Sequence, residues 1–190
     1  MDLLHAGLFP ALWLAWAVYW VVQSRGNKAS RRIESPASRL AHAIPLLIAA
    51  LLLWRPTLPG GFLCGRILPA TPATFFTGAA LTAFGLALSV WARVHLGRNW
   101  SGVVTLKEDH ELVRSGPYAW VRHPIYTGLL LAFVGSAIAR GEWRGVLAVV
   151  LVVAALWRKL ELEERWMIET FGAAYLSYRI DVPALIPFLR

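Results

Sequence analysis

SGPYAWVRHPIYTG, Ser115 to Gly128, joins a polar stretch to a strongly apolar one, and its reading decides the fold. Ser115-Gly116-Pro117 carries turn chemistry, Arg122-His123-Pro124 is a dense polar trio, and Ile125 opens an apolar run that lasts to Ala139. Proline suits the first turn of a helix, where its missing N–H has no intrahelical partner to lose. A cation and an imidazole at the mouth of a membrane helix are costly unless they meet a ligand or buried partners. The stretch therefore reads as the entrance to an active site at one face of a bilayer.

Composition agrees with a membrane chain. Of 190 residues 57% are hydrophobic and the mean hydropathy is +0.54, outside the usual soluble range. The net charge of +8 would suggest nucleic acid in a soluble protein. Here the basic residues fall in short clusters between apolar runs, as in contacts with anionic lipid and in orientation signals, so nucleic acid is not an expected partner and membrane lipids are. The single cysteine, Cys64, makes no internal disulfide, and no Cys/His cluster suggests a structural metal.

The fold expected is all-α and integral to the membrane, with about five spans. Residues 6–23 form an uncharged segment near the roughly 20 residues that a spanning helix needs. It lacks the basic start and small-residue cleavage site of a signal peptide, so it reads as a retained helix. Arg25, Lys28, Arg31, Arg32 and Arg39 against Glu34 mark the next segment as cytoplasmic, which puts the N-terminus outside. A second span covers 40–54, with a bend expected at Pro45 and with His42 read as an interfacial histidine. The proline-rich segment 55–72 is an outer loop. A third span covers 74–96, where Gly78, Ala79, Ala80, Ala83, Gly85 and Ala87 permit close helix contact and Trp91 sits in the inner aromatic belt.

Spans at 125–139 and 143–157 form a hairpin about the turn at 140–143. The second continues without proline to about residue 171, roughly 40 Å at 1.5 Å per residue, so its end projects into the cytoplasm and Gly172 can stop it. The stretch from Gly97 to Arg122 is too long for a turn, and long connections in compact proteins are usually functional. Its KEDHELVRSGPY segment, the RHPIY entrance and the charged turn of the last helix converge on the inner face. A pocket is thus expected between the 97–124 loop and the extended last helix. Lys159 and Glu163 share a helix face, as do Glu161 and Arg165, whereas Glu164 is expected to face water beside a pocket-facing Glu163.

GRNWS (97–101), HELV (110–113), SGPYAWVRHPIYTG (115–128), LEERWMIETFGAAYLSY (162–178) and VPALIPF (182–188) together resemble the isoprenylcysteine carboxyl methyltransferase family, with the phospholipid N-methyltransferases close behind. The resemblance covers about half the chain, from Leu96 onward. It implies a membrane-embedded methyltransferase using S-adenosylmethionine, consistent with the lack of a Gly-rich dinucleotide motif. Cofactor contacts would fall on His110, Glu111, Leu112, Val113, Tyr118, His123, Pro124, Ile125, Tyr126 and Glu163. Where the family usually carries an arginine for the substrate carboxylate, this chain has Lys159, with Arg158 beside it. Lysine is a point charge, whereas arginine offers a two-pronged fork.

Some of these residues have plainer readings. Tyr118 and Tyr126 stand between belt residues and packing on adenosine, Arg122 between the site and lipid headgroups, and Trp100 and Trp120 read as interface anchors. The implied reaction is in-line methyl transfer, driven chiefly by positioning, to a lipophilic or prenylated acceptor entering from the bilayer. An ionised carboxylate held by Lys159 or Arg158 needs no base. A lipid amine must lose a proton, for which Glu163, Glu164 or His123 is available. An NADPH-dependent sterol-reductase-like enzyme and a non-catalytic membrane scaffold are the rival classes. The acceptor and the oligomeric state stay open.

Overall fold

The computed structural model describes residues 2–24, 30–55, 61–97, 100, 105–107 and 112–188. Among the described residues, six α-helices carry the fold: α1 (Asp2–Gln23), α2 (Pro36–Trp54), α3 (Pro72–Leu96), α4 (Pro124–Arg140), α5 (Trp143–Phe171) and α6 (Ala173–Asp181). Two short strands, β1 (Ser30–Ile33) and β2 (Thr105–Lys107), pair antiparallel. The strands and α6 were not anticipated from the sequence.

Local chemistry sets the helix starts. Ser35 accepts from the Ser38 amide at 3.2 Å, so α2 begins at Pro36 and takes in Arg39, four residues before the apolar run. At α3, Thr71 and Thr74 satisfy each other's backbone N–H groups in a capping box, again followed by a first-turn proline. Helix α4 stops at Gly141, whose φ of 67° is left-handed. The 29 residues of α5 extend about 43 Å, longer than the roughly 30 Å hydrocarbon core.

Helices α2 and α3 are long and apolar enough to cross a membrane, and only 17% and 39% of their apolar windows are buried inside the protein. Such exposure is foreign to the core helix of a soluble fold. It supports membrane association.

Antiparallel α3 and α4 make the tightest contact, through glycines seven residues apart on each helix. A Cβ on Gly85 would stand 2.4 Å from the Gly128 carbonyl, and one on Gly78 2.5 Å from that of Gly135. With little hydrophobic drive between helices in lipid, such approach lets dispersion and hydrogen bonding hold them together. Thr82 accordingly reaches the Ala132 carbonyl at 3.2 Å. Helix α1 is pinned alongside by its indoles, Trp13 donating to Ser136 at 3.2 Å and Trp16 to Ser89 at 2.8 Å. Helix α2 packs on α5.

Alternate connections gather at opposite ends. At one end β1 and β2 tie the α1–α2 and α3–α4 connections together. At the other, the α2–α3 connection meets the α4–α5 turn: Ile67 donates to Gly141 at 2.8 Å, and Phe62 stacks on Trp143 at 5.0 Å. Arg140 and Arg144 both donate to the Arg55 carbonyl there, at 2.8 and 2.7 Å, satisfying the frayed end of α2.

Candidate functional site

Helix α4 starts where α5 passes, and the site lies between them. His123 is the residue before α4, its φ of −124° keeping it outside the helix. The Tyr126 ring stacks on its imidazole with centroids 5.4 Å apart and an interplanar angle of 3°. Adjacent glutamates on α5 face this pair. Tyr126 donates to Glu163 at 2.5 Å, and the His123 ring nitrogens lie 3.6 Å from Glu163 and 3.3 Å from Glu164. Arg122 donates to Glu164 twice, at 2.8 and 2.6 Å. Arg179 on α6 approaches the other Glu164 oxygen at 3.3 Å.

Glu164 thus corrects its expected water-facing role, being only 6% exposed. The roughly 100° between helix neighbours still separates the two carboxylates, but the cluster is broad enough to engage both, with His123 between them. Glu163 keeps a side-chain exposure of 25%. Arg122 turns inward instead of reaching for headgroups, because Glu164 and two backbone carbonyls absorb its donors.

The charges reinforce one another. Burial alone would depress the basicity of His123, yet its hydrogen bonds to Glu163 and Glu164 outweigh that and raise its pKa. Burial alone would raise both carboxyls; His123, with Lys159 for Glu163 and Arg122 for Glu164, holds them below the usual carboxylate value. The charged form of each of the three is thus favoured by its neighbours.

The rest of the expected set surrounds this core. Pro124, Ile125 and Tyr118 are buried, and Leu112 and Val113 are half-buried; His110 and Glu111 lie outside the described residues. Burial raises the Tyr118 phenol, and the Glu163 charge adds to it. Lys159 sits over the Tyr126 ring, 5.5 Å from its centroid. Arg158 is exposed and reaches across to Ser38 on α2 at 3.3 Å. Glu161 accepts from Trp157 at 2.9 Å, and Arg165 reaches only its carbonyl, at 3.3 Å.

Other residues differ from their sequence reading. His42 is buried and paired with Glu34 at 3.5 Å instead of interfacial. Trp100 is buried beneath the Arg93 guanidinium, 4.3 Å from its ring, whereas Trp120 is exposed and packs edge-on against Trp91 at 5.6 Å.

Residues after α5 close the site, a contribution sequence reasoning left unassigned. Pro183 and Ala184 carbonyls accept from the Arg122 and His123 amides at 2.9 and 3.0 Å, and Leu185 accepts from Thr127 at 2.7 Å. These amides open α4, where no intrahelical acceptor exists. Tyr178 donates to the Tyr118 carbonyl at 2.5 Å, and His95 meets Ser115 at 2.9 Å. Tyr178 and the 182–188 segment did stand in recognised blocks; His95 had no signal.

The described chain is thus a helical fold with membrane-type spans and an acid–histidine–tyrosine cluster at one end. A family profile described as phospholipid methyltransferase matches residues 73–174, more than half of the chain. The chain belongs to that family. Among curated relatives, the protein-S-isoprenylcysteine O-methyltransferase of Saccharomyces cerevisiae is 31% identical over 126 residues, covering 63% of this chain and 52% of the relative. Its Schizosaccharomyces pombe namesake is 36% identical over 104 residues (52% and 43%). The Homo sapiens namesake is 30% identical over 174 residues (90% and 60%). The chain thus spans about half the length of the curated relatives it matches. In fold it is similar to the eukaryotic intramembrane Ras methyltransferase ICMT, with a TM-score of 0.51 and 23% identity over 83% of this chain and 55% of that one.

Proposed function

We propose that the protein is a multi-pass membrane methyltransferase that uses S-adenosylmethionine to methylate the carboxylate of an isoprenylcysteine-type acceptor. The observation that carries the acceptor chemistry is the surroundings of His123. Its ring nitrogens face carboxylates at 3.6 and 3.3 Å, which raise its pKa and engage both nitrogens, so it is poorly placed to take a proton from an amine. A carboxylate acceptor, ionised at neutral pH, asks for no base. Names of the relatives support the same acceptor.

The residues fit the cofactor. Glu163 presents an ionised, partly exposed carboxylate suited to hydroxyl or ammonium donors, beside an apolar wall of Tyr118, Ile125 and half-buried Val113. Bound, S-adenosylmethionine supplies a methyl group on a positively charged sulfur. The chain's own residues orient and shield. Tyr126 and His123 fix the Glu163 carboxylate, the Arg122–Glu164 pair fixes His123, and Lys159 supplies the cation that orders an anionic acceptor. His110 and Glu111 complete the cofactor set by resemblance, and Leu112 and Pro124 line it.

Five spans, an outer N-terminus and a cytoplasmic site are the topology that suits this reading. Its support is the gathering of alternate connections at opposite ends, with Arg122, Arg158, Lys159, Arg165 and Arg179 at the site end. A prenyl chain then enters between helices and the water-soluble cofactor from the cytoplasm.

The family's phospholipid methyltransferase profile keeps amine N-methylation as the second reading. Transfer of labelled methyl to a prenylcysteine analogue and to a lipid extract separates them: a base-labile product is the ester expected, a base-stable one an N-methyl group. Titration with S-adenosylhomocysteine tests the class. Binding of NADPH in its place would make the protein reductase-like, and binding of neither would leave a scaffold.

A further inference from the structure

Outside the cluster around His123, the described part of α2 and its approach carry a second buried acid–histidine pair. Glu34 and His42 are 4% and 5% exposed, and their side chains meet at 3.5 Å. Burying a carboxylate beside an imidazole at a helix mouth is a poor way to stabilise a fold, since apolar groups of similar volume usually do as well. The pair therefore invites a functional account.

Its place is beside the acceptor end of the site. Helix α2 packs on α5, and the contact is registered by Arg158, which donates to Ser38 at 3.3 Å. His42 lies one turn further along α2, on the same face as Ser38. Lys159 follows Arg158 on α5 and hangs over Tyr126. Two acid–histidine pairs thus lie on the two sides of the α2–α5 contact, one from α4 and α5 and one from the start of α2.

Carboxylate recognition supplies the reason. A carboxylate has two oxygens, and an arginine answers both with parallel N–H groups. Lys159 is a compact point charge and answers one direction at a time. We infer that His42, oriented by Glu34, is the second polar group of the acceptor subsite, making with Lys159 the two-point contact that a single arginine would make elsewhere. This inference rests on the proposed methyltransferase reading and adds a residue to it. His42 is a specificity-determining contact; Glu34 is a positioning residue.

The test is steady-state methyl transfer from S-adenosylmethionine to a prenylcysteine analogue, with S-adenosylhomocysteine affinity measured on the same preparations. His42→Ala is expected to raise the KM for the analogue roughly tenfold or more, with kcat and S-adenosylhomocysteine affinity near wild type. His42→Asn keeps a donor and restores part of the KM. Glu34→Gln raises KM less than His42→Ala does. The intact S-adenosylhomocysteine affinity certifies the fold of each variant. If KM in His42→Ala stays within twofold of wild type, or if S-adenosylhomocysteine affinity falls in parallel with it, the subsite assignment is wrong. A wild-type protein that neither binds S-adenosylhomocysteine nor transfers methyl overturns the methyltransferase reading, and this assignment with it. An active wild type with an indifferent His42→Ala overturns the assignment alone.

Discussion

The Arg122 guanidinium clasps a single Glu164 oxygen with two of its nitrogens, Nε at 2.8 Å and Nη2 at 2.6 Å. With side chains only 8% and 7% exposed, the two charges depend on each other. Removing Arg122 leaves Glu164 to His123 and Arg179, at 3.3 Å each, so the cost falls below the roughly 3–5 kcal/mol of a fully orphaned buried charge. Arg122→Ala should show that loss as a lowered unfolding midpoint in detergent. Arg122→Lys should recover little of it, because the third nitrogen, Nη1, also serves the Arg179 and Val182 carbonyls and an ammonium cannot reproduce the fork. A lysine variant as stable as wild type would contradict the geometry.

Stability should depend on pH on both sides of a plateau. His123 titrates above its ordinary 6.5 in the folded protein, so its contribution is fully present below that value and is lost as pH rises through the higher folded one. Glu163 and Glu164 titrate below their ordinary 4.5, so theirs is present above 4.5 and is lost as pH falls through the lower values. Thermal midpoints should therefore be highest between these limits. His123→Gln should erase the alkaline decline specifically; a decline unchanged in that variant would assign it elsewhere.

Cofactor and acceptor effects should separate along α5. Glu163→Ala is expected to abolish S-adenosylhomocysteine binding. Tyr126→Phe keeps a ring for stacking on His123 but loses the 2.5 Å bond to Glu163, and should weaken binding about tenfold. Lys159→Ala should leave that affinity alone and slow acceptor turnover. Isothermal titration beside a methyl-transfer assay reads all three, and undiminished affinity in Glu163→Ala would refute its assignment.

Helix contact gives a prediction free of chemistry. A methyl on Gly128 would lie 2.5 Å from the Gly85 carbonyl and 2.7 Å from the Ser89 amide, so Gly128→Ala must push α4 from α3 at about 1–3 kcal/mol. At Gly7 in α1 a Cβ meets nothing within 4 Å, and Gly7→Ala should be neutral or stabilising by about 0.5–1 kcal/mol. Equal unfolding midpoints for the two variants would discount the close approach.

Much of this site could be read from residue patterns, and the reason is local chemistry. Pro124 marks the start of α4 wherever the helix packs, Gly172 stops α5, and Gly78 and Gly85 advertise a close neighbour. Glu163 could be tied to the entrance because a hairpin returns α5 to its own starting face. The rest is set by tertiary contact. The helical angle points Glu164 to water, since nothing in its neighbourhood reveals an arginine 42 positions earlier. His42 looked interfacial because Glu34, its buried partner, counts in the sequence only as a lone acid among bases. Residues 182–185 contribute through carbonyls, which every sequence possesses and no motif distinguishes.

Order of synthesis gives the Arg122–Glu164 pair a further meaning. At about 5–20 residues per second, the 42 positions that separate them take the ribosome some seconds. Arg122 and His123 are thus made well before either glutamate exists. The carbonyls of 183 and 184 that receive their amides follow later still. During that interval the Arg122 guanidinium at the mouth of α4 lacks these partners, and water and anionic headgroups must accommodate its charge. The same charge holds that end of the nascent helix at the membrane surface until its partners arrive.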